Sequence, residues 1–336
     1  MTNTQTTNWY LPTLVLCTAL AGLSVWAISV GSTHIPMLTV VQALTDPSVD
    51  SREAQIIRTV RLPRVLAAII VGAALAVAGA IMQAATNNPL ADPGLLGVNA
   101  GAAFAVVVLI VIKGPAAGIG ALAWAAFLGA AVAAVLVYGL GALGRSGPTP
   151  VKLVLAGVVI GTFLAVLTMT ILLVDGKTLD AVRLWTAGSL RGRVLGDVVQ
   201  VMPYIALGLI LAMLFRDQFT ALSLGADVAQ GLGQNPAKWR AVSAGIVVLL
   251  AGGSVAIAGP LGFVGLVVPH MARLTLGPDY RNILPLAMLG GALLTLLADA
   301  LPRAVWRNDI PIGISLALVG GPFFIWLARR SSGLAR

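Results

Sequence analysis

Few residues of this sequence have the type and spacing that catalysis or metal binding requires. His34 and His270 are its two histidines and Cys17 is its single cysteine, all far apart. A metal centre needs several such ligands close together. Asp175-Gly176-Lys177-Thr178 matches the end of a phosphate-binding loop, but Ile171 replaces that motif's first glycine and a helical stretch precedes it. The sequence therefore predicts neither a metal site nor an ATP site in this chain.

The most informative polar segment is the loop from Arg216 to Arg240. Residues 222–230 have the pattern of a short amphipathic helix, and Gly231-Leu232-Gly233 follows as a break. Asn235-Pro236 has the residue types of an N-cap followed by the first helical position. Two short helices around a glycine break form a knob too small to fold alone. We expect it to fit a partner's groove; an interfacial helix pair lying on lipid is the alternative.

The elements that position these residues are long apolar stretches. Of 336 residues, 58% are hydrophobic and 10% charged, with mean hydropathy +0.97, whereas soluble domains carry about 25% charged residues. One helical crossing takes about 20 apolar residues, and continuous runs exclude a membrane β-barrel. The sequence predicts an all-α polytopic membrane protein with about ten transmembrane helices in a single domain over residues 1–336. The runs are 11–31, 63–85, 95–112, 117–142, 151–174, 195–215, 240–258, 260–276, 284–299 and 311–328.

The charged residues lie at the ends of these runs. Asp92, Asp197 and Asp299 all stand beside proline, glycine or loop residues. Ion-coupled carriers keep ionisable groups deep in the membrane, so we expect the energy for transport to come from a partner. A stand-alone ion-driven carrier and a non-transporting membrane scaffold are the alternatives. The net charge of +9 does not indicate nucleic-acid binding, because the sequence has no basic run with interleaved aromatics.

The basic residues do not orient the chain in the membrane. With a cytoplasmic N-terminus, ten Lys and Arg lie in the inner segments and eleven in the outer ones, so the positive-inside rule favours neither orientation. An outer face that keeps so many cations against this rule is expected to use them. The outer set is Arg52, Arg58, Arg61, Arg64, Lys113, Lys177, Arg183, Arg191, Arg193, Arg303 and Arg307.

Small residues recur at the spacing of helix packing. Gly97 with Gly101, Gly157 with Gly161, and Gly72 with Ala76 and Ala80 predict close helix contacts in lipid. A shift of 180 residues also superposes part of the chain on itself, a weak internal repeat of the kind found in transporters. The superposed pairs are Gly72 and Gly252, Ala76 and Ala256, Ala78 and Ala258, Gly79 and Gly259, Pro89 and Pro269, and Gly97 and Gly277.

Motifs along nearly the whole chain resemble those of one family, the iron–siderophore/vitamin B12 permeases. These are the membrane subunits of binding-protein-dependent ABC importers. The first motifs along the chain are Arg61-Leu62-Pro63-Arg64 with Val71-Gly72-Ala73-Ala74-Leu75-Ala76 and Gly79, Asn88-Pro89-Leu90-Ala91-Asp92-Pro93-Gly94-Leu95-Leu96-Gly97, and Trp185-Thr186-Ala187-Gly188-Ser189-Leu190. Those that follow are Gly225 with Leu232-Gly233, Gly259-Pro260-Leu261-Gly262-Phe263-Val264-Gly265 through Pro269-His270-Met271-Ala272-Arg273, Asp299, and Ile310-Pro311-Ile312-Gly313 to Gly321-Pro322-Phe323-Phe324.

The resemblance implies a type II ABC importer permease that works by alternating access. Such a permease pairs with a second permease subunit, a copy or a paralogue, with the translocation path between them. It implies two ATP-binding subunits on the cytoplasmic side, an extracytoplasmic substrate-binding protein, contact with membrane lipid, and a place in the bacterial inner membrane. The chain is then not an enzyme and holds no cofactor, because ATP and Mg belong to the partner ATPase.

The resemblance also implies roles for particular residues. The loop that couples to the ATPase contains Leu222, Leu224, Gly225, Ala226, Gly231, Leu232 and Gly233. Arg61, Arg64 and Arg303 match outer arginines that dock the binding protein through its glutamates; snorkelling anchors at helix ends are the alternative. The translocation path or gate is assigned to Asn99, Thr149, Pro150, Trp185 and Ser189, although Gly147-Pro148-Thr149-Pro150 is richer in proline than the family's gate region.

The resemblance bears on the substrate through one short stretch. Gly188-Ser189-Leu190 with Arg191 and Arg193 is more similar to the siderophore branch of the family than to the cobalamin branch. Ferric siderophores are often anionic, which suits a basic entrance. A ferric siderophore is therefore the expected substrate, and haem and cobalamin are the alternatives.

Overall fold

The chain forms a bundle of helices, seen here in a computed structural model. The structure describes residues 10–31, 33, 35–114, 118–143, 149–306 and 308–332. The helices of the first half are α1 (Tyr10–Ser29), α2 (Met37–Thr45), α3 (Arg52–Ile56), α4 (Leu62–Thr86), α5 (Val98–Lys113), α6 (Ile119–Gly141) and α7 (Pro150–Val174). The second half has α8 (Gly176–Thr186), α9 (Leu195–Leu214), α10 (Arg216–Ser223), α11 (Ala226–Gly231), α12 (Pro236–Val247), α13 (Gly253–Ala258), α14 (Val264–Leu276), α15 (Tyr280–Trp306) and α16 (Ile312–Ser332).

Ten apolar helical segments in the described part of the chain agree with the predicted number. Seven are long and apolar enough to cross a membrane: Tyr10–Ser29, Arg52–Thr86, Gly120–Gly141, Pro150–Val174, Leu195–Leu214, Pro236–Ala258 and Tyr280–Trp306. Three are shorter: Val98–Lys113, Val264–Leu276 and Ile312–Phe323. π-helical turns join α3 to α4 and α12 to α13, so those segments run on as single rods. The predicted all-α multi-pass fold is confirmed.

The centre of the bundle is α4. Twenty-one of its 25 residues are buried, as expected for a helix that is apolar all round. It packs along its length against α15 and also contacts α14, α9, α12 and α13. Most of its buried side chains are alanine, glycine or valine, so neighbouring backbones come close. Every rearrangement of the bundle must therefore involve α4 or slide past it.

Glycines mark where these backbones meet. A Cβ added to Gly72 in α4 would overlap the carbonyl oxygen of Gly291 in α15, and one at Gly101 in α5 would overlap that of Gly129 in α6. Such approaches replace the hydrophobic drive that lipid does not supply. The predicted packing of small residues is thus confirmed at these sites. It is wrong for Gly161, where an added Cβ meets nothing within 4 Å.

The loop between α9 and α12 differs from its prediction in one respect. The single helix predicted over 222–230 is wrong: α10 ends at Ser223, and α11 begins at Ala226 after Gly225 with φ 107°. A side chain is disfavoured at that φ, so the chain turns there and the helix stops. The predicted N-cap is confirmed, since Asn235 Oδ1 accepts a hydrogen bond from the Lys238 N–H (3.1 Å) and Pro236 is the first helical residue.

The internal repeat has mixed support from local geometry. Gly97 and Gly277 both lie at helix ends with positive φ (70° and 80°). By contrast, Gly79 lies inside α4, whereas Gly259 ends α13 with φ 74°. The repeat stays a prediction.

Candidate functional site

An open pocket of about 480 Å³ lies at the end of the bundle where α4 begins and α15 ends. Five of the described arginines line it, all from the predicted outer set. We call it the arginine pocket. Its lining residues are Gly31, Thr33, Arg52, Ile56, Val60, Arg61, Arg64, Arg191, Arg303, Asn308 and Asp309.

The floor of the arginine pocket is a buried ion cluster around Asp299. Arg64 Nε and Nη2 donate to Asp299 Oδ1 (3.0 and 2.9 Å), and Arg303 Nη2 donates to Asp299 Oδ2 (2.7 Å). The Asp299 side chain is 1% exposed. Charge-assisted hydrogen bonds of this length are strong, and a buried carboxylate needs them to offset its lost hydration. Asp299 therefore fixes two of the three predicted docking arginines to the bundle.

The third arginine, Arg61, is held by the end of α1. Its Nη1 donates to the carbonyl oxygens of Ile28 (2.7 Å) and Ser29 (2.8 Å), and its Nη2 donates to the carbonyl oxygen of Thr33. Carbonyls of a last helical turn lack intrahelical partners, and the negative end of the helix dipole favours a cation there. Arg61 thus caps α1 and ties it to α4.

These contacts leave the three arginines with few N–H groups free to bind a partner. Arg61, Arg64 and Arg303 are 5%, 9% and 6% exposed, and most of their N–H groups are directed inward. The cations that face outward are Arg52, which is exposed, and Arg191, whose side chain is 69% exposed. Docking through the three buried arginines stays a prediction. The structure adds Arg52 and Arg191 as candidates for docking, which the sequence alone did not distinguish from the other outer cations.

The polar loop at the other end of α4 and α15 forms a knob, which we define as residues 216–235. Arg281 Nε at the start of α15 donates to Asp217 Oδ1 (2.7 Å), and the Tyr280 N–H donates to Thr220 Oγ1 (3.1 Å). The hydrogen bond from Arg281 lowers the pKa of the Asp217 carboxyl. The knob is therefore fastened to α15.

Asn87, at the end of α4, provides the other fastening. It has a left-handed backbone (φ 52°). In the orientation that satisfies both groups, its amide donates to the carbonyl oxygen of Ser223 (2.6 Å) and accepts from the Gly225 N–H (3.2 Å). Sequence reasoning missed Asn87. An asparagine just past a long apolar helix was the available signal, because asparagine tolerates this backbone conformation.

The surface of the knob is apolar on its outer side. Leu224, Val228 and Leu232 are 54%, 47% and 64% exposed, and they recur every four residues across the break at Gly225. Leu222, in contrast, is 1% exposed, so it supports the knob from inside. Exposed apolar side chains rimmed by polar ones mark interaction surfaces. Of the predicted coupling residues, Leu224 and Leu232 have exposed apolar side chains, and Gly231 and Gly233 are exposed beside them.

Three of the loop motifs of the sequence meet in one loop cluster, residues 185–190, 258–262 and 311–313. The Ser189 N–H donates to the carbonyl oxygen of Ala258 (2.8 Å), and the Gly313 N–H donates to that of Gly188 (3.3 Å). A Cβ at Gly313 would overlap the carbonyl oxygen of Ala187. The start of α16 is thus bonded through backbone groups to the segment that carries Trp185 and Ser189.

The predicted path or gate residues are spread along α7. Thr149 caps the start of this helix, its Oγ1 accepting from the Lys152 N–H (3.4 Å), with Pro150 as the first helical residue. Asn99 lies in the first turn of α5, beside the middle of α7, since a Cβ added to Gly97 just before it would lie 3.8 Å from Ile160 Cγ2. Trp185 and Ser189 follow the far end of α7. The structure does not bring these five residues together, and their role in the path stays a prediction.

These features are those of a multi-pass helical membrane protein with a basic pocket at one end and a short-helix knob at the other. A model of the FecCD transport family matches residues 17–330, and the chain belongs to that family. The predicted membership is confirmed.

Relatives and solved structures agree with this assignment. The chain is 43% identical to the probable siderophore transport system permease YfiZ of Bacillus subtilis, over 90% of this chain and 91% of that protein. It is 38% identical to the ferric enterobactin permease FepD of Escherichia coli, over 95% of this chain and 93% of that protein. It is 35% identical to the cobalamin permease BtuC of Halobacterium salinarum, over 82% of this chain and 73% of that protein. An inward-facing metal-chelate type ABC transporter matches with TM-score 0.82 and 27% identity, over 95% of this chain and 98% of that one.

Proposed function

We propose that this chain is the permease subunit of an ATP-driven importer that carries a ferric siderophore across the bacterial inner membrane by alternating access. One structural observation carries the proposal: α4 and α15 hold the arginine pocket at one end and the knob at the other. A permease of this kind must respond to a partner on each side of the membrane, and this helix pair joins the two surfaces. Relatives named for siderophore and ferric-citrate transport support the substrate.

The partners follow from the surfaces. The apolar row of the knob is suited to a cleft in an ATP-binding subunit, of which two serve the complex, and the arginine pocket is suited to an acidic face of an extracytoplasmic binding protein. A second permease subunit packs beside α7, which is apolar and mostly exposed, with Phe163 59% and Leu173 84% exposed. ATP and Mg are held by the ATPase, and this chain catalyses no reaction.

Cobalamin is the second candidate substrate, because the chain has a cobalamin permease among its relatives. Uptake of radiolabelled iron as a hydroxamate or catecholate siderophore, measured with and without excess cobalamin, separates the two. Iron uptake that cobalamin leaves unchanged supports the siderophore, whereas labelled cobalamin uptake without iron uptake contradicts it.

Purification from the native membrane in mild detergent tests the assembly. We expect a stoichiometric ATPase and a second permease, either a copy of this chain or a paralogue. A chain that emerges alone, under conditions that preserve other ABC complexes, contradicts the importer assignment. Uptake that survives ATP depletion but stops with an uncoupler then indicates an ion-driven carrier.

Gly225→Trp tests the coupling role of the knob. We expect it to abolish uptake while the chain still inserts, because Gly225 has φ 107° and separates α10 from α11, and a large side chain there disturbs both. Transport and membrane insertion are measured in the same cells. Gly22→Trp is the control, since Gly22 lies on an exposed face of α1 with nothing within 4 Å of an added Cβ. Normal uptake by Gly225→Trp contradicts the coupling role.

A further inference from the structure

We propose that Asp309 binds Arg64 in the arginine pocket where a carboxylate of an acidic partner binds on docking. The partner docks by replacing Asp309 on Arg64. The proposal rests on the proposed function, in which a binding protein docks at this face. It adds Asp309 as an intramolecular competitor for docking. It also gives a route by which docking changes the structure of the segment that leads into α16.

The hydrogen bonds of Arg64 show which carboxylate can be exchanged. Its Nε and Nη2 are directed at Asp299, while its Nη1 donates to Asp309 Oδ1 (2.8 Å). The Asp299 side chain is 1% exposed and that of Asp309 is 35% exposed. Removing Asp299 would leave buried cations unpaired, which is costly. Asp309 can leave towards water, and an incoming carboxylate can take the same Nη1–H.

The charge balance of the pocket favours such an exchange. The described chain places five arginines around it, against Asp299 and Asp309, which leaves a surplus of positive charge. Replacing Asp309 by another carboxylate keeps the contact with Arg64. The incoming group can also use Arg191, whose Nε now lies 3.8 Å from Asp309 Oδ2, and the exposed Arg52. The exchange therefore costs little and leaves the released Asp309 hydrated.

The position of Asp309 in the chain connects this exchange to the loop cluster. Asp309 stands three residues before α16, and only Ile310 and Pro311 separate it from that helix. The first turn of α16 is bonded to the 185–190 segment through Gly313 and Gly188. Losing the contact between Arg64 and Asp309 therefore frees the segment that leads into α16, next to two of the predicted path residues.

Tri-glutamate peptide is a suitable probe, titrated into the full chain in nanodiscs. We expect Asp309→Asn to bind it about two- to fivefold more tightly than the wild type, because the variant lacks the carboxylate that competes for Arg64. Asp309→Glu, which restores a carboxylate, should bind like the wild type. Asp50→Asn removes an exposed acid from the loop before α3 and controls for the change in net charge.

Hydrogen exchange of the backbone amides at 309–315 reports the release. Addition of tri-glutamate should speed exchange there in the wild type, and Asp309→Asn should already exchange fast without further response. Equal affinities of the wild type and Asp309→Asn, or exchange that the probe leaves unchanged, overturn the proposal. Absence of binding to both chains also overturns it. None of these results affects co-purification with an ATPase, so failure here is distinct from failure of the proposed function.

Discussion

At the scale of single residues, the ion cluster of Asp299 with Arg64 and Arg303 carries a large desolvation cost. Taking charges out of water costs several kcal/mol per ion, and here four charge-assisted hydrogen bonds offset that cost. Removing Asp299 leaves Arg303 buried without a carboxylate and leaves Arg64 with Asp309 alone. The cluster is therefore more sensitive to the loss of one residue than to replacement of the whole set by apolar side chains.

Asp299→Asn is expected to destabilise the chain by about 3–5 kcal/mol, because it leaves Arg303 as a buried cation without a carboxylate and leaves Arg64 with Asp309 alone. Thermal unfolding in detergent measures the loss. Asp50→Asn is the control: its side chain is exposed, and we expect a change within about 0.5 kcal/mol. A melting temperature for Asp299→Asn equal to that of the control contradicts this account of the cluster.

The sequence predicted which arginines share one end of the molecule but not what holds them. Arg64 and Asp299 are 235 residues apart in sequence, and no local pattern links them. The partners of Arg61 are backbone carbonyls, which leave no trace in residue type. Burial of these three side chains could therefore not be inferred from their position at the ends of apolar runs.

At the scale of helices, the crossing of α4 and α15 depends on two glycines. Gly72→Ala is expected to destabilise the bundle by about 1–3 kcal/mol, because its Cβ overlaps the carbonyl oxygen of Gly291 and the helices must separate. Gly22→Ala in α1, where an added Cβ meets nothing within 4 Å, should leave stability unchanged or slightly raised. Melting temperatures of the two variants, with uptake, provide the check. Equal melting temperatures would mean that the crossing tolerates a methyl group.

Apolar runs predicted helix bounds well where no charge or proline interrupts them. The run 63–85 corresponds to α4, Leu62–Thr86. The run 284–299 is too short for α15, Tyr280–Trp306, because prolines and charges lie near both ends. Arg303 lies one turn after Asp299 on the same face, and their ion pair lets the helix continue. Apolarity alone does not detect that pairing.

At the scale of the whole molecule, the outward-facing arginines should steer an acidic partner. Replacing both Arg52 and Arg191 with glutamate is expected to slow association of the binding protein and flatten its salt dependence, with dissociation little changed. Association rates at several ionic strengths test this. Lys238→Glu, on α12 beside the knob, is the control, because it lies at the opposite end of the bundle from the arginine pocket. An unchanged salt slope in the double variant would show that these two arginines take no part.

Charge reversal at Arg61, Arg64 and Arg303 together is a poorer test of docking. These side chains are bound to Asp299 and to backbone carbonyls, so we expect the triple variant to lose its fold before it loses its partner. Thermal unfolding of the triple variant beside the Arg52 and Arg191 double variant measures the difference. A triple variant that melts like the wild type contradicts the burial described here.

The close approach of Gly72 and Gly291 makes a fulcrum of the α4 and α15 pair. At about 1.5 Å per residue, the crossing lies roughly 21 Å along α4 from Thr86 and roughly 15 Å from Leu62. A stiff rod that turns about such a point moves its two tips in opposite directions, with lever arms of unequal length. If α4 turns about this point, a displacement of its Thr86 end, which holds the knob through Asn87, is accompanied by an opposite displacement, smaller by about a third, of its Leu62 end beside Arg64.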